Sequence, residues 1–485
     1  MKSRTAPFAT THLGPEKLFL LAGLLLLAGC STAGLDRLNG PEQWRAANQP
    51  SLSEDAQTSL TRGPALHAML RLALERNPGV RATRHQWLAA IHAEPQATSL
   101  PDPTLQVGYQ FDSVETRVGA QRWSLGLNQK LPWWQKLWAQ GRRASLQADV
   151  ARLKYETSVR DLIIHVKDAY YELYYLDQAI PVTQRVEELL RNEALLGYSA
   201  LESGRTQISE AFRAESRAAR LRYDRLLLTE QRHIWAEQLR SLLNLPPHTP
   251  IGAIRHAPVY ETAADIEPLY QRAETWAQVL RIRGLEAEQA QYNTFLARLS
   301  RIPDISVGMN YISVDDARGA MQPGDRGKDP FIGMFSMNLP IWEQRNQALI
   351  RQKEAMEEAM QLQALDELNR VRQGVAQAFF QVRLTGRLIE LYDQTLLPQA
   401  EAVMRQAEAW FRSEQASFAN VLETTLAWHN FMLARHRAVA DHGQAIDRLE
   451  RAIGTTAGPD TTAHPKTFHS RPDATNERSA AGRQP

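Results

Sequence analysis

The chain states the same pattern twice, and that repetition limits what it can fold into more than any other feature. Residues 103–109 read Pro-Thr-Leu-Gln-Val-Gly-Tyr and residues 303–309 read Pro-Asp-Ile-Ser-Val-Gly-Met, an offset of 200 (303 − 103). A second match pairs Asn128 to Trp133, through Leu131-Pro132, with Asn338 to Ile341, through Leu339-Pro340. Its offset is 208 (340 − 132), so the second copy carries a longer connection between the paired segments. The order expected in each copy is helix, two strands, long helix, long helix, as in a duplicated unit.

Period two marks the strands. Leu105, Val107, Tyr109 and Phe111 alternate with Thr104, Gln106, Gly108 and Gln110, and Trp123, Leu125 and Leu127 alternate with Ser124, Gly126 and Asn128. Ile305, Val307, Met309 and Tyr311 repeat this, while Phe331 to Leu339 is less regular because Ile332 and Met334 fall on the polar side. One apolar and one polar face is the pattern of a barrel wall between lipid and water; a half-buried soluble sheet shows the same alternation. The polar segment Asp112 to Gln121 and the Gly- and Asp-rich segment Ser313 to Pro330 read as solvent loops outside the cell.

Helical periodicity fills the stretches between. Val159, Leu162, Ile163, Val166, Ala169, Tyr170 and Leu173 recur at i, i+3, i+4 and i+7. Helices are expected from Gln135 to about Tyr198, Thr206 to Leu245, Asn346 to Phe411 and Ser417 to Ile453. Pro181 and Pro398 are expected to kink or restart the longer ones. A helix of roughly 60 residues at ~1.5 Å each is about 90 Å long, deeper than a single globular core.

The amino terminus has a positive flank (Lys2, Arg4, Lys17) and an apolar run, Leu18 to Leu27, too short to span a bilayer. It ends in Leu27-Ala28-Gly29-Cys30, which resembles the bacterial lipobox, and Cys30 is the only cysteine. The resemblance implies acylation at Cys30, and Ser31 in place of Asp implies outer-membrane sorting. The expected divisions are a signal peptide (1–29), an acylated tether (30–64), a first repeat (65–245), a linker (246–268), a second repeat (269–454) and a disordered tail (455–485).

Four strands cannot close into a barrel, and open edges are not tolerated in hydrocarbon. The chain must therefore share a barrel with copies of itself. Ala73 to Pro78, the two strand starts at Pro103 and Pro303, the two Leu-Pro strand exits, Leu397-Pro398-Gln399-Ala400 and Asn420-Val421-Leu422-Glu423 occur in the order seen in TolC-like outer-membrane efflux proteins, which the chain resembles over about residues 65–454. Gln129 to Trp133 looks most like the heavy-metal efflux branch.

The resemblance implies an α+β membrane protein: a homotrimeric 12-stranded β-barrel, four strands per chain, continuous with a long α-helical periplasmic barrel. Its implied role is the passive exit duct of a tripartite efflux system exporting small solutes such as metal ions or drugs. A periplasmic adaptor, an inner-membrane pump and outer-membrane lipid are the implied partners. A type I protein secretion duct is the alternative, and a periplasmic adaptor lipoprotein a weaker one. Adaptor docking is implied at the helix tips, Gly204, Arg205, Thr206 and Ser417, and a tunnel constriction at Asn420 and Glu423. Phe411 and Ala416 stand where relatives use a Tyr and an Arg as a latch, so these residues do not support a polar latch.

Other functions lack residues. Lys+Arg 56 against Asp+Glu 54 leaves a net charge of +2, no signature of nucleic-acid binding. No H-E-x-x-H, G-x-S-x-G or phosphate loop is present. His429 and His436, like His85 and His92, lie two helical turns apart, about 10 Å, too far to share one metal ion. No catalytic residue, metal or cofactor is expected apart from the lipid on Cys30.

Overall fold

The structure is a computed structural model. It describes residues 58, 60–63 and 65–455, except 203–207, 260–264, 317–323, 325–326, 414 and 416. Of two compact units, Met1–Ser53 lies outside the described residues, and everything below belongs to the unit beginning at Glu54. Cys30, Gly204, Arg205 and Thr206 therefore lie outside the described residues as well.

Each repeat begins with two helices where the sequence suggests one. In the first, α1 (Leu66–Arg76) gives way at Asn77 to α2 (Pro78–Thr98). The break is local chemistry: Pro78 disfavours helical backbone at Asn77 and sits at the first helical position. The Asn77 side chain caps α2, accepting from Gly79 N at 2.9 Å and Val80 N at 3.2 Å. In the second, α5 (Glu267–Trp276) breaks at Ala277 into α6 (Gln278–Leu299), 200 residues on (277 − 77).

Both breaks dock on the far end of their own repeat. Asn77 Nδ2 donates to the Leu242 carbonyl at 2.9 Å, at the end of α4 (Ile208–Leu242). Gln278 Nε2 reaches the Gly454 carbonyl at 3.3 Å, just past α9 (Phe418–Ile453). Gly454 ends α9 with φ of 74°, and a Cβ there would fall 2.3 Å from the Trp276 carbonyl oxygen. Only glycine fits this left-handed position.

The strands are β1 (Thr104–Thr116), β2 (Gly119–Leu131), β3 (Ile305–Val314) and β4 (Phe331–Met337), in one antiparallel sheet of order β1-β2-β3-β4. The first connection is shorter than expected. Asp112 to Gln121 is mostly strand, turning at Arg117 and Val118, with a register shift between Tyr109 and Val114. Its polarity comes from a ladder extending past the apolar stripe.

Below the sheet run α3 (Trp134–Glu202) and, in the second repeat, α7 (Glu343–Leu391), a π-helical turn (Tyr392–Leu396) and α8 (Leu397–Arg412). With 69 residues α3 is about 100 Å long. At Pro181 the helix does not restart, since α3 is helical on both sides of it. Asp177, one turn earlier, is held by Arg232 Nε at 2.5 Å and by the Ile254 N–H at 2.8 Å, and buried Val186 and Leu190 pack on Ala218 and Leu221 of α4. Lateral packing thus helps to keep the backbone helical through the proline. At Pro398 the helix does restart, after the π turn.

Helix α3 packs along α4, α2, α6 and α9, while α7 packs along α6 and α9. Among the described residues no helix is long and apolar enough to cross a membrane.

Candidate functional site

The ladder puts the four strands' alternation in phase. Leu105 pairs with Leu127, Val107 with Leu125 and Tyr109 with Trp123; Leu127 pairs with Met309 and Leu125 with Tyr311; Val307 pairs with Phe335 and Tyr311 with Phe331. One face is therefore apolar across the sheet. The other carries Thr104, Gln106, Gly108, Ser124, Gly126, Asn128, Lys130, Ser306, Gly308 and Asn310. Ile332 and Met334 of β4 share that polar face.

Among the described residues nothing covers the apolar face. Phe111 is 92% exposed, Leu105 63% and Phe331 68%. In water so much contiguous apolar surface is strongly unfavourable. Among the described residues β1 and β4 each have a neighbouring strand on one side only, leaving two open edges. Exposed Trp133, Trp134, Leu339, Ile341 and Trp342 lie where the strands meet α3 and α7.

Helix α9 presents two unlike faces. Toward α7 it buries Ala445, Ile446, Leu449 and Ile453 against Val371, Val375, Phe379 and Val382. Toward α3 it is polar. Arg437 forks onto both Glu172 oxygens at 2.7 Å, Gln444 reaches Glu172 at 2.9 Å, Arg451 lies 3.0 Å from Asp161, and Lys167 lies 2.6 Å from Asp447. Tyr171 closes over Gly443, where a Cβ would fall 2.2 Å from the ring.

Burial dominates the protonation of this face. It raises the Asp447 carboxyl to about 7 against the pull of Lys167, and it raises Asp168. It lowers His436 to about 4, helped by the charge of Arg435, and lowers His429. The histidines pair with hydroxyls: His429 Nε2 with Thr183 at 3.2 Å, His436 Nδ1 with Tyr174 at 3.3 Å and His442 Nδ1 with Thr385 at 2.9 Å. They are interhelical contacts, and no metal-binding group occurs among the described residues. Sequence reasoning weighed the histidines for metal and missed the ionic seam. Its signal was charged and amide side chains recurring at helical spacing in Asp161, Asp168 and Glu172 opposite Arg437, Gln444 and Arg451.

At the end of the wall away from the sheet, Asn420 and Glu423 are exposed within the first two turns of α9, beside buried Val421 and Leu422. Ser417 is exposed and precedes α9, with no side-chain capping bond. Phe411 packs against Ala194 and Ala214, an apolar contact between the end of α8 and the α3–α4 pair. Ala416 lies outside the described residues. Nearby, an open groove of about 540 Å³ is lined by Glu188, Arg191, Leu195 and Tyr198, and Tyr198 donates to Glu215 at 2.7 Å.

Residues 69–245, the first repeat, match the family described as outer membrane efflux protein. No curated protein matches the chain in the sequence comparison. Solved structures match nearly all of the described chain. The outer membrane protein VceC of Vibrio cholerae is 16% identical with a TM-score of 0.68, over 81% of this chain and 97% of that one. The outer-membrane channel OprN is 16% identical with a TM-score of 0.70, over 85% and 98%. The MtrE outer membrane channel of Neisseria gonorrhoeae, in its open state, is 18% identical with a TM-score of 0.67, over 85% and 95%. The chain shares the fold of these outer-membrane channels, second repeat included.

Proposed function

From a first repeat matching outer membrane efflux proteins and a whole chain with the fold of outer-membrane channels, we propose that this protein is the passive exit duct of a tripartite efflux system. One observation carries the reading: a four-stranded sheet with a bare apolar face and two open edges. In hydrocarbon each unpaired backbone group costs several kcal/mol, so β4 of one copy must pair with β1 of the next until the ring closes. Three copies give twelve strands, enough for a lumen, with the polar faces of Gln106, Ser124, Asn128 and Asn310 lining it.

The helices continue the lumen into the periplasm. Glu423 and Asn420 from each copy narrow it at the far end, where a ring of carboxylates favours cations. The tips around Gly204 to Thr206 and Ser417 dock a periplasmic adaptor, which links the duct to an inner-membrane pump. Acylation at Cys30 anchors the chain to the outer membrane. Transport takes its energy from the pump, and the duct itself catalyses nothing.

The test is assembly and membrane integration. The full chain in mild detergent should run as three copies and conduct in a planar bilayer; a monodisperse, water-soluble single copy sinks the reading. Leu125→Arg, at the centre of the apolar face, should weaken integration by about 2–4 kcal/mol and shift the chain out of the membrane fraction.

A further inference from the structure

Where the sheet passes into the helices, one ion-paired cluster holds more positive than negative groups. Lys130 lies on the polar face of β2, paired across the ladder with Ser306, and its ammonium is 3.3 Å from Asp304 Oδ2. Lys136, in the first turn of α3, takes the other oxygen, Oδ1, at 2.7 Å and also donates to the Ile302 carbonyl at 2.7 Å. Within this ion-paired cluster two ammonium groups share one carboxylate, leaving one positive charge; Asp102, opposite Lys130 in the β1–β2 register, is exposed and forms no ion pair with it. The Lys136 and Asp304 side chains are only 13% and 16% exposed, while Lys130 is 55% exposed, so the excess appears at Lys130.

The second repeat has no such cluster. At the 208-residue offset Asn338 and Gln344 replace Lys130 and Lys136, and at the 200-residue offset Thr104 replaces Asp304. Asn338 instead accepts the Asp304 N–H at 2.5 Å. Outward from Lys130, β2 carries Asn128, Gly126 and Ser124 on this face before reaching Arg122, and Arg122 is matched by Asp315 at 2.6 Å. The ladder partners beside this stretch, Gln106, Gly108, Gly308 and Asn310, are neutral.

We propose that Lys130 is a charge-selecting residue of the lumen: one Lys130–Asp304–Lys136 cluster per copy forms a cationic collar at the base of the barrel that favours anionic solutes over bare cations. The proposal rests on the duct reading above. It gives the lumen two stations of opposite sign, the collar at the sheet and the Glu423 level at the far mouth. A solute crossing both is best served by carrying both signs, or by moving as a cation bound to an anionic ligand.

The collar is read with a thiol beside it. Asn128→Cys, two residues from Lys130 on the same face, is introduced into the full chain in proteoliposomes. Its modification by anionic and by cationic methanethiosulfonates is timed, with the chain lacking this substitution as background. Because charges screen over about 8 Å at physiological salt, Lys130→Gln should lower the anionic-to-cationic rate ratio by about three- to tenfold, and more at low salt. Lys130→Glu should lower it further. Gln106→Lys, on the same polar face but outside the cluster, should raise it and guards against a folding defect in the Lys130 variants. An unchanged ratio across these variants in conducting trimers overturns the collar and leaves the duct standing. A wild-type chain that neither trimerises nor conducts overturns both.

Discussion

Helices α3 and α7 hold equivalent places in the two repeats, and both pack on α9, but through opposite chemistry. At the 208-residue offset Lys167 corresponds to Val375, Tyr171 to Phe379 and Tyr174 to Val382. The second repeat's helix thus offers α9 an apolar stripe, and the first repeat's offers hydroxyls and charges. One seam is held by burial of apolar surface, which depends little on pH or salt. The other is held by paired charges and hydrogen bonds, whose worth depends on every partner being present. Duplication supplied the two helices, and a few heptad-spaced positions make one attachment apolar and the other ionic.

The largest test strikes the apolar seam. Phe379→Ala, at 2% exposure, should cost about 3–5 kcal/mol, read as a fall in the melting temperature of the detergent-solubilised protein. A similar loss from Phe380→Ala, whose ring is 58% exposed, would mean that the seam is not where the stability resides.

Acid should act on the other seam. His436 is held neutral in the folded protein, its pKa lowered from 6.5 to about 4. Its contribution is complete above pH 6.5 and is lost as pH falls from 6.5 toward 4, because the unfolded chain then binds a proton the folded one refuses. At pH 4 this amounts to roughly 3 kcal/mol. His436→Gln should therefore melt less steeply with acidification than wild type, the difference opening below pH 6.5. Asp447 pulls the other way: its folded pKa is raised to about 7, so stability is gained as pH falls through 7 toward the ordinary carboxylate range. Asp447→Asn should abolish that gain, and parallel pH profiles for all three proteins would refute the contrast between seams.

The helix breaks provide a smaller test. Asn77→Ala removes the cap of α2 and its bond to Leu242, and should cost about 1 kcal/mol. Ala277→Asn places the first repeat's residue at the equivalent break, and should return a few tenths to 1 kcal/mol if its side chain reaches the start of α6. Both are read as melting shifts.

Sequence reasoning found the strands because their exposed alternation depends only on local residues and the period of the pleat. It misplaced their ends where the polar ladder outran the apolar stripe at Asp112 to Gln121. It allowed a kink or a restart at Pro181, where packing along the helix prevents the restart, and it anticipated Pro398, whose helix restarts behind a π turn. Of the proposed site, Asn420 and Glu423 are exposed in the first two turns of α9 and Ser417 just precedes it. The sharing of Asp304 by Lys130 and Lys136 was not legible, since it joins residues about 170 positions apart.

The sequence by itself determined that a duplicated unit would present four amphipathic strands and four long helical stretches. That information is periodic, and each residue carries its share of it. Only the tertiary structure decided which side of α9 is oily and which ionic, which lysines compete for one aspartate, and that each repeat's first helix break closes on its own last helix. These are matters of which side chains meet across the fold, and such meetings leave no local trace.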